Sequence, residues 1–227
     1  MIAVVSGAAA GLLAAPVLRA AAARYAVADG EPWRECCPLG RRLHRPDGRC
    51  PRCGAGGGPG AWRIETAAAA VGAVLGAAAS WPVVLPLAWA ALFGVVLAFV
   101  DARVSRLPDV LTLPLAAGTA VLLVLTAPDG AVLLRCLFAA LVLGGGYLLL
   151  ALVAPVGLGD VKLAPTLGAL LGWYGWSAVA GGFVLTFLAA AVWAVALLVS
   201  GRAGRGDDLP LGPWMLLGTL LAVLAAS

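Results

Sequence analysis

Long apolar stretches, separated by short polar segments, run through the whole chain. A stretch of about 20 apolar residues crosses the hydrocarbon core of a bilayer, so stretches of this length predict membrane-spanning α-helices. The first stretch lacks a basic start and carries arginines at its far end, which favours a retained helix over a cleaved signal peptide. Eight spans are predicted, the second and sixth of them short, at about 2–26, 66–81, 83–100, 109–127, 131–154, 161–174, 176–200 and 211–226.

The composition indicates a membrane protein and leaves no room for a large soluble domain. The chain of 227 residues is 63% hydrophobic and 11% charged, and its mean hydropathy is +1.02. These values lie outside the range of soluble domains. We therefore predict an all-α polytopic membrane protein with about eight transmembrane helices. It divides into a first transmembrane helix (1–28), a small cytoplasmic loop rich in Cys and Arg (29–65) and a membrane-embedded helical part (66–227).

The basic residues predict an orientation in the membrane. Short cytoplasmic loops collect positive charge, and most of the 15 Lys and Arg residues lie in four polar segments that alternating spans place on one side. Arg135 falls near the opposite face. We assign the four segments to the cytoplasm and both termini to the outside. The net charge of +4 then reflects topology and contact with lipid headgroups rather than nucleic-acid binding, with substrate contact by Arg103 or Arg106 as the alternative for those two.

Two polar breaks at predicted membrane boundaries carry the candidate chemistry. The first, F-V-D-A-R-V-S-R-L-P-D, contains Asp101, and the second, G-L-G-D-V-K, contains Asp160. An aspartate at the edge of a bilayer costs free energy and is a functional candidate by default. Two crossings that turn at the P-D-G signal of 128–130 separate the two residues, so both should lie at the same face of the membrane.

Two carboxylates at one membrane face suit peptide hydrolysis. One acts as general base on a water molecule, while its protonated partner polarises the scissile carbonyl and later protonates the leaving amine. Like charges a few ångströms apart cannot both ionise, so such a pair shares one proton. The sequence therefore predicts Asp101 and Asp160 as a catalytic pair.

Each aspartate also has a structural interpretation. Asp109 follows a proline and precedes an apolar run, which is typical of a helix N-cap, and we expect capping there rather than catalysis. Asp160 has capping of the sixth helix as its alternative, although Gly157 and Gly159 before it favour an unwound backbone that a substrate strand can approach. Asp101 ends a helix, where the dipole disfavours an anion, so its alternatives are solvation or pairing with the arginine two positions later.

The two breaks together resemble the motifs of the type IV prepilin leader peptidases, polytopic aspartic proteases of the G-x-G-D class. The pattern D-x-x-x-x-x-x-P-D is matched at 101–109 and G-x-G-D-x-K at 157–162, in this order and with the aspartates about 60 residues apart. The resemblance implies that Asp101 and Asp160 are the catalytic pair. The other motif positions are implied to be supporting ones: Asp109, Gly157, Gly159 and Lys162.

The resemblance also implies a function. Members of the family cleave the short basic leader from prepilins and pseudopilins, for type IV pili and type II secretion, after a glycine that precedes the hydrophobic helix of the substrate. Cleavage takes place on the cytoplasmic side of the bacterial inner membrane. Many members also methylate the new N-terminal amine with S-adenosylmethionine. The implied substrate is another membrane protein, which enters from the lipid bilayer.

The loop between the first two spans offers metal ligands. Thiols in a reducing cytoplasm should not form disulfides, and the C-x-x-C pair of Cys50 and Cys53 is typical of a structural zinc site. Tetrahedral coordination needs a second pair, which Cys37 with His44, or Cys36 with Cys37, can supply. Family members with a methylating loop usually carry two C-x-x-C pairs, so this departure weakens the case for methyltransferase activity more than the case for proteolysis. A loop with free thiols is the alternative.

The remaining features specify packing rather than chemistry. Runs rich in Ala and Gly suit close helix packing in lipid. Cys136, inside an apolar span, is predicted to be a packing residue. Tryptophans near predicted boundaries, including Trp33, are predicted to be interfacial anchors without a catalytic role.

Two other functions compete with a prepilin peptidase. The motifs are also compatible with cleavage of another leader or membrane peptide. A small transporter or assembly scaffold, from a different class, would use the aspartates to pair with cations or to cap helices. A protease should lose turnover when either aspartate of the pair becomes asparagine in a folded, inserted protein, whereas a scaffold should tolerate at least one such change.

Overall fold

Eight α-helices make up the described part of the structure, a computed structural model that covers residues 1–28, 30–35, 62–154, 156–202 and 209–227. Each predicted span corresponds to one of these helices, so the prediction of an all-α polytopic protein is confirmed. The helices are α1 (Ile2–Tyr25), α2 (Arg63–Ala78), α3 (Val84–Val104), α4 (Asp109–Thr126), α5 (Gly130–Val153), α6 (Leu158–Tyr174), α7 (Trp176–Val199) and α8 (Gly212–Ala226).

The described helices fall into two length classes. Five of them, α1, α3, α4, α5 and α7, are long and apolar enough to cross a membrane. The other three, α2, α6 and α8, contain 16, 17 and 15 residues. At about 1.5 Å per residue each is shorter than the hydrocarbon core of about 30 Å. The sequence predicted short spans for α2 and α6, and the structure shows that α8 is short as well.

Helices α3 and α6 form the centre of the bundle, and these two bury more residues than the other described helices. α3 contacts α1, α2, α4 and α8, while α6 contacts α4, α5, α7 and α8. The outer helices expose large apolar side chains, such as Leu141 and Leu149 on α5, which suit a lipid environment. The two most buried helices are therefore the ones that carry Asp101 and Asp160.

Glycines let neighbouring helices approach closely. Gly7 and Gly11 of α1 meet α2 at Ala68 and Gly72, and a Cβ added at Gly7 would lie 2.1 Å from the carbonyl oxygen of Gly72. Gly168 of α6 likewise lies against the backbone of α5, where an added Cβ would come within 2.5 Å of a carbonyl oxygen. Helices in lipid associate through such contacts between small residues, because lipid tails supply no hydrophobic driving force between them.

Two arginines make contacts that the sequence did not predict. Arg19 of α1 is buried and pairs with Glu65 of α2, with Nε donating to Oε1 at 3.0 Å. Arg135 of α5 donates from Nε to the carbonyl of Gly172 at 2.6 Å and from Nη2 to the carbonyl of Trp173 at 2.8 Å. These two carbonyls belong to the last turn of α6. The guanidinium therefore satisfies backbone groups at the negative end of that helix.

The helices that carry the motifs extend beyond the apolar runs that predicted them. α3 continues to Val104 instead of ending at residue 100, so Asp101 lies within its last turns. α6 begins at Leu158 instead of residue 161, so Asp160 lies in its first turn. Apolar composition marks the part of a helix that lipid surrounds, whereas backbone hydrogen bonding continues into the polar residues. α2 likewise begins at residue 63, inside the predicted loop.

Candidate active site

A pocket at one end of the bundle contains both candidate aspartates. Its volume is about 500 Å³, and it is lined by the end of α3, the segment between α3 and α4, the start of α6 and Trp33. Asp101 and Asp160 are only 5% and 7% exposed. Both aspartates are among the residues that line the pocket. The structure therefore places the two sequence motifs around one site.

Asp101 is held by the start of α8. Its Oδ2 accepts a hydrogen bond from the backbone N–H of Gly212 at 3.0 Å. Gly212 is the first residue of α8, so the carboxylate faces the positive end of that helix dipole. This contact offsets the unfavourable position of an anion near the C-terminal end of α3. Because Asp101 is buried, solvation does not account for its presence.

The two motif glycines shape the surroundings of Asp160. Asp160 is the third residue of α6, and Gly157 is the N-cap residue, so the carboxylate lies at the positive end of the α6 dipole. A Cβ added at Gly157 would lie 3.2 Å from Asp160 Oδ2, and one added at Gly159 would lie 3.0 Å from the Cβ of Leu107. Gly159 is helical, so the prediction of an unwound backbone at that position is wrong. It instead lets the α3–α4 segment pack against α6.

Asp109 and Lys162 join the two motifs at the rim of the pocket. Lys162 Nζ donates to Asp109 Oδ1 at 2.6 Å, and both side chains are more than half exposed. Asp109 is the first residue of α4, after the N-cap residue Pro108, and no side-chain capping hydrogen bond is present there. The prediction that Asp109 caps α4 is therefore wrong. Its carboxylate pairs with Lys162 and still lies at the positive end of the α4 dipole.

The segment that follows α1 forms one wall of the pocket. Trp33 lines the pocket and packs edge-on against Tyr25, with ring centroids 5.2 Å apart. Arg106, which also lines the pocket, donates to the carbonyl oxygen of Ala28 at 3.1 Å. The sequence predicted Trp33 only as an interfacial anchor, because nothing in its spacing from either motif indicates a shared site.

Three helix starts surround the paired carboxylates. The first turns of α4 and α6 line the pocket, and the start of α8 contacts Asp101 from behind. Each of these helices presents the positive end of its dipole, which stabilises negative charge in the pocket. The same arrangement stabilises the oxygen of a carbonyl group as it gains charge during attack by water.

The position of the predicted metal ligands relative to the pocket is not described by the structure. Within the described ranges, no group of three or more His, Cys, Asp or Glu side chains could hold a metal ion. Cys136 is described and is buried in α5, so its prediction as a packing residue is confirmed. Five predicted ligands lie outside the described residues: Cys36, Cys37, His44, Cys50 and Cys53.

Fold and site together define a class, a polytopic helical membrane protein with two buried carboxylates in one pocket at the end of its bundle. Residues 88–199, which include both aspartates, match the model of the type IV leader peptidase family. A relative that is 34% identical to this chain is matched over 88% of its own length. The chain belongs to the type IV leader peptidase family.

Two relatives show how far this similarity extends. Leader peptidase HopD of Salmonella typhimurium is 34% identical over 145 residues, which cover 59% of this chain and 88% of that protein. A prepilin leader peptidase/N-methyltransferase of Aeromonas salmonicida is 31% identical over 135 residues, 57% of this chain. The match covers 45% of the Aeromonas protein, so the chain spans about half the length of that relative. No solved structure matches the chain.

Proposed function

We propose that the protein is an aspartyl endopeptidase that removes the leader peptide from type IV prepilin-like precursors at the cytoplasmic face of the bacterial inner membrane. The observation that carries the proposal is the burial of Asp101 and Asp160 in one pocket at the end of the bundle. Membership of the leader peptidase family supports the substrate class. The concentration of basic residues at the pocket end supports the cytoplasmic orientation.

The proposed reaction needs both carboxylates. One ionised carboxylate takes a proton from a water molecule as the water oxygen attacks the scissile carbonyl carbon. The other, protonated, donates a hydrogen bond to the carbonyl oxygen and then passes its proton to the leaving nitrogen as the C–N bond breaks. The reaction consumes one water, and the pair again holds one proton when both products have left. Burial within one pocket supports such sharing, because two adjacent carboxylates cannot both ionise at low cost.

We propose N-methylation of the new N-terminus, with S-adenosylmethionine as the methyl donor, as a second candidate activity. The name of the Aeromonas relative, which includes N-methyltransferase, favours it. The methyl group would be added to an amine that the first reaction produces. A mass gain of one methyl group on the cleaved product tests this activity separately from cleavage.

A structural zinc ion in the cysteine loop is part of the proposal. Thiolate and imidazole are the ligands that zinc prefers at tetrahedral structural sites. Cys50 and Cys53 would supply two ligands, and two of Cys36, Cys37 and His44 would supply the others. Metal analysis of the purified protein should find zinc that the Cys50→Ser/Cys53→Ser variant lacks, and equal metal content in both proteins would contradict the site.

The cleavage proposal is tested with membranes that carry the wild type or the Asp101→Asn/Asp160→Asn double variant. Each is incubated with a prepilin-like precursor, and the product is weighed by mass spectrometry. The wild type should remove the leader, and the folded double variant should not. Cleavage by the double variant would exclude the aspartyl mechanism. A wild type that does not cleave would favour a transporter or assembly scaffold, in which the aspartates cap helices or pair with cations.

A further inference from the structure

The start of α8 lies directly against the carboxylate of Asp101. Gly212, the first residue of α8, and Asp101 are 111 positions apart in the chain, and both are buried. The family match ends at residue 199, before α8 begins. Neither sequence motif includes any part of α8. The contact therefore adds a third element to the site, beside the motif segments of α3 and α6.

Only one backbone N–H group in the first turn of α8 is available to donate a hydrogen bond to Asp101. Pro213 has no N–H, and the N–H groups of Trp214 and Met215 both donate to the carbonyl of Leu211 at 3.0 Å. The N–H of Gly212 is the remaining donor of this turn, and Asp101 Oδ2 accepts it. A buried N–H without a partner costs free energy, so the helix start and the carboxylate satisfy each other.

A side chain at this contact would displace the Asp101 carboxylate. A Cβ added at Gly212 would lie 2.8 Å from Asp101 Oδ2 and 3.2 Å from its Cγ. Real Cβ atoms essentially never approach another heavy atom closer than 3.0 Å. The backbone of Gly212 is not in the left-handed region, so glycine is not required there for its conformation. The absence of a side chain is what brings the N–H within reach of the carboxylate.

We propose that Gly212 is a positioning residue for Asp101. Its N–H fixes the orientation of the carboxylate, and its missing side chain leaves the volume that the carboxylate occupies. Gly212 does not line the pocket, so it acts on a substrate only through Asp101. The effect on cleavage rests on the proposed peptidase function, whereas the contact itself is measurable without a substrate.

The first test compares cleavage by Gly212→Ala with two matched variants. In Gly218→Ala the added Cβ meets Thr186 Oγ1 at 2.6 Å, so this variant perturbs α8 away from the pocket, and in Gly181→Ala the Cβ meets nothing within 4 Å. Displacement of a catalytic group by about one ångström costs up to about 100-fold in rate. We expect Gly212→Ala to lower kcat by about that factor with an unchanged KM, and both controls to keep the wild-type kcat per folded protein.

The second test needs no activity and uses thermal unfolding in detergent. Gly212→Ala should lower the unfolding midpoint of the wild type, because the Cβ and the carboxylate compete for one volume. In the Asp101→Ala background the carboxylate is gone, so Gly212→Ala should lower the midpoint much less. Equal decreases in both backgrounds, or a Gly212→Ala variant with wild-type kcat, would overturn the positioning role. A wild type without cleavage would refute the peptidase proposal, and the unfolding cycle would still decide the contact.

Discussion

Each buried carboxylate of the pocket lies against a glycine at the start of a helix. Asp101 accepts the N–H of Gly212 at the start of α8, and Asp160 lies in the first turn of α6, beside the N-cap residue Gly157. In both cases a Cβ on the glycine would crowd the carboxylate oxygen, at 2.8 Å and 3.2 Å. Glycine thus allows a helix start, with its positive dipole end, to approach an acidic side chain closely.

The ion pair between Asp109 and Lys162 should contribute little to stability. Both side chains are more than half exposed, and exposed pairs contribute less than about 1 kcal/mol. We expect Asp109→Asn or Lys162→Met to lower the free energy of unfolding by less than that amount, and the exchanged pair Asp109→Lys/Lys162→Asp to restore part of it. Denaturant unfolding in detergent at low and high salt measures these changes. A loss of several kcal/mol would contradict the expectation that this exposed pair contributes little to stability.

At the residue scale, sequence reasoning found the two buried carboxylates of the pocket and missed some of their partners. Asp101 and Asp160 are identifiable because a charged residue at a membrane edge has few structural explanations. The partner of Asp109 was not predictable, because a carboxylate after proline suits a cap and only the folded chain brings Lys162 within reach. Gly212 was missed because its contact with Asp101 joins distant parts of the chain. The proline that follows it in L-P-L-G-P marks a helix start and was the one available signal.

At the scale of single helices, Arg135 fixes the end of the helix that carries Asp160. Hydrogen bonds from a charged donor contribute about 1.5–3 kcal/mol, and Arg135 makes two of them to the last turn of α6. We expect Arg135→Met to lower the free energy of unfolding by about 2–3 kcal/mol. Arg135→Lys should lower it by a smaller amount. Denaturant unfolding checks the order of the three proteins. Stability of Arg135→Met equal to the wild type would show that the α6 carbonyls find other donors.

The contact between α1 and α2 depends on glycine at the helix crossing. Valine at Gly72 would push against the backbone of α1, where an added Cβ already lies 2.1 Å from the carbonyl oxygen of Gly7. Overpacking of this kind costs about 1–3 kcal/mol, so we expect Gly72→Val to lower the unfolding midpoint. Gly145→Val is the matched control, since a Cβ at Gly145 meets nothing within 4 Å. Equal midpoints for the two variants would contradict close packing of α1 on α2.

Helix number was predictable from the sequence, whereas helix partners were not. An apolar run reports the length of chain in lipid, which is why α4 and α7 begin at the predicted residues. In a chain this apolar, all faces of a helix have similar hydropathy, so hydropathy does not reveal that α3 and α6 lie at the centre of the bundle. The glycines of α1 and α2 hint at close packing, but their pairing depends on the register between two helices.

At the scale of the whole molecule, the proposed orientation places the pocket in the cytoplasm and the end of α8 outside. Ser105 lines the pocket, and Ser227 follows α8 at the opposite end of the bundle. In a cysteine-free variant, we expect Ser227→Cys to react with a membrane-impermeant thiol reagent added outside spheroplasts. Ser105→Cys should react only in inverted vesicles, because loops rich in Lys and Arg stay in the cytoplasm. Labelling of both positions from the same side would contradict this topology.

The site as a whole combines elements that the sequence presents separately. The two motifs indicate that α3 and α6 contribute to one membrane face. They do not indicate that Trp33 lines the pocket or that α8 contacts Asp101, because Trp33 and α8 lie outside both motifs and reach the site only through the packing of the bundle. Local patterns thus predicted which aspartates share the pocket, and tertiary packing determined what surrounds them.

The most direct test asks whether Asp101 and Asp160 act as one catalytic unit. Turnover of a prepilin-like precursor is compared among Asp101→Asn, Asp160→Asn and the double variant. The control is Asp129→Asn at the N-cap of α5, where Asp129 Oδ1 accepts the N–H of Val132 at 2.8 Å, a hydrogen bond that asparagine can also accept. Residues that act as a unit give non-additive losses, so each single variant should lose as much turnover as the double, while Asp129→Asn keeps the wild-type value per folded protein. A single variant with turnover well above that of the double would contradict a shared catalytic pair.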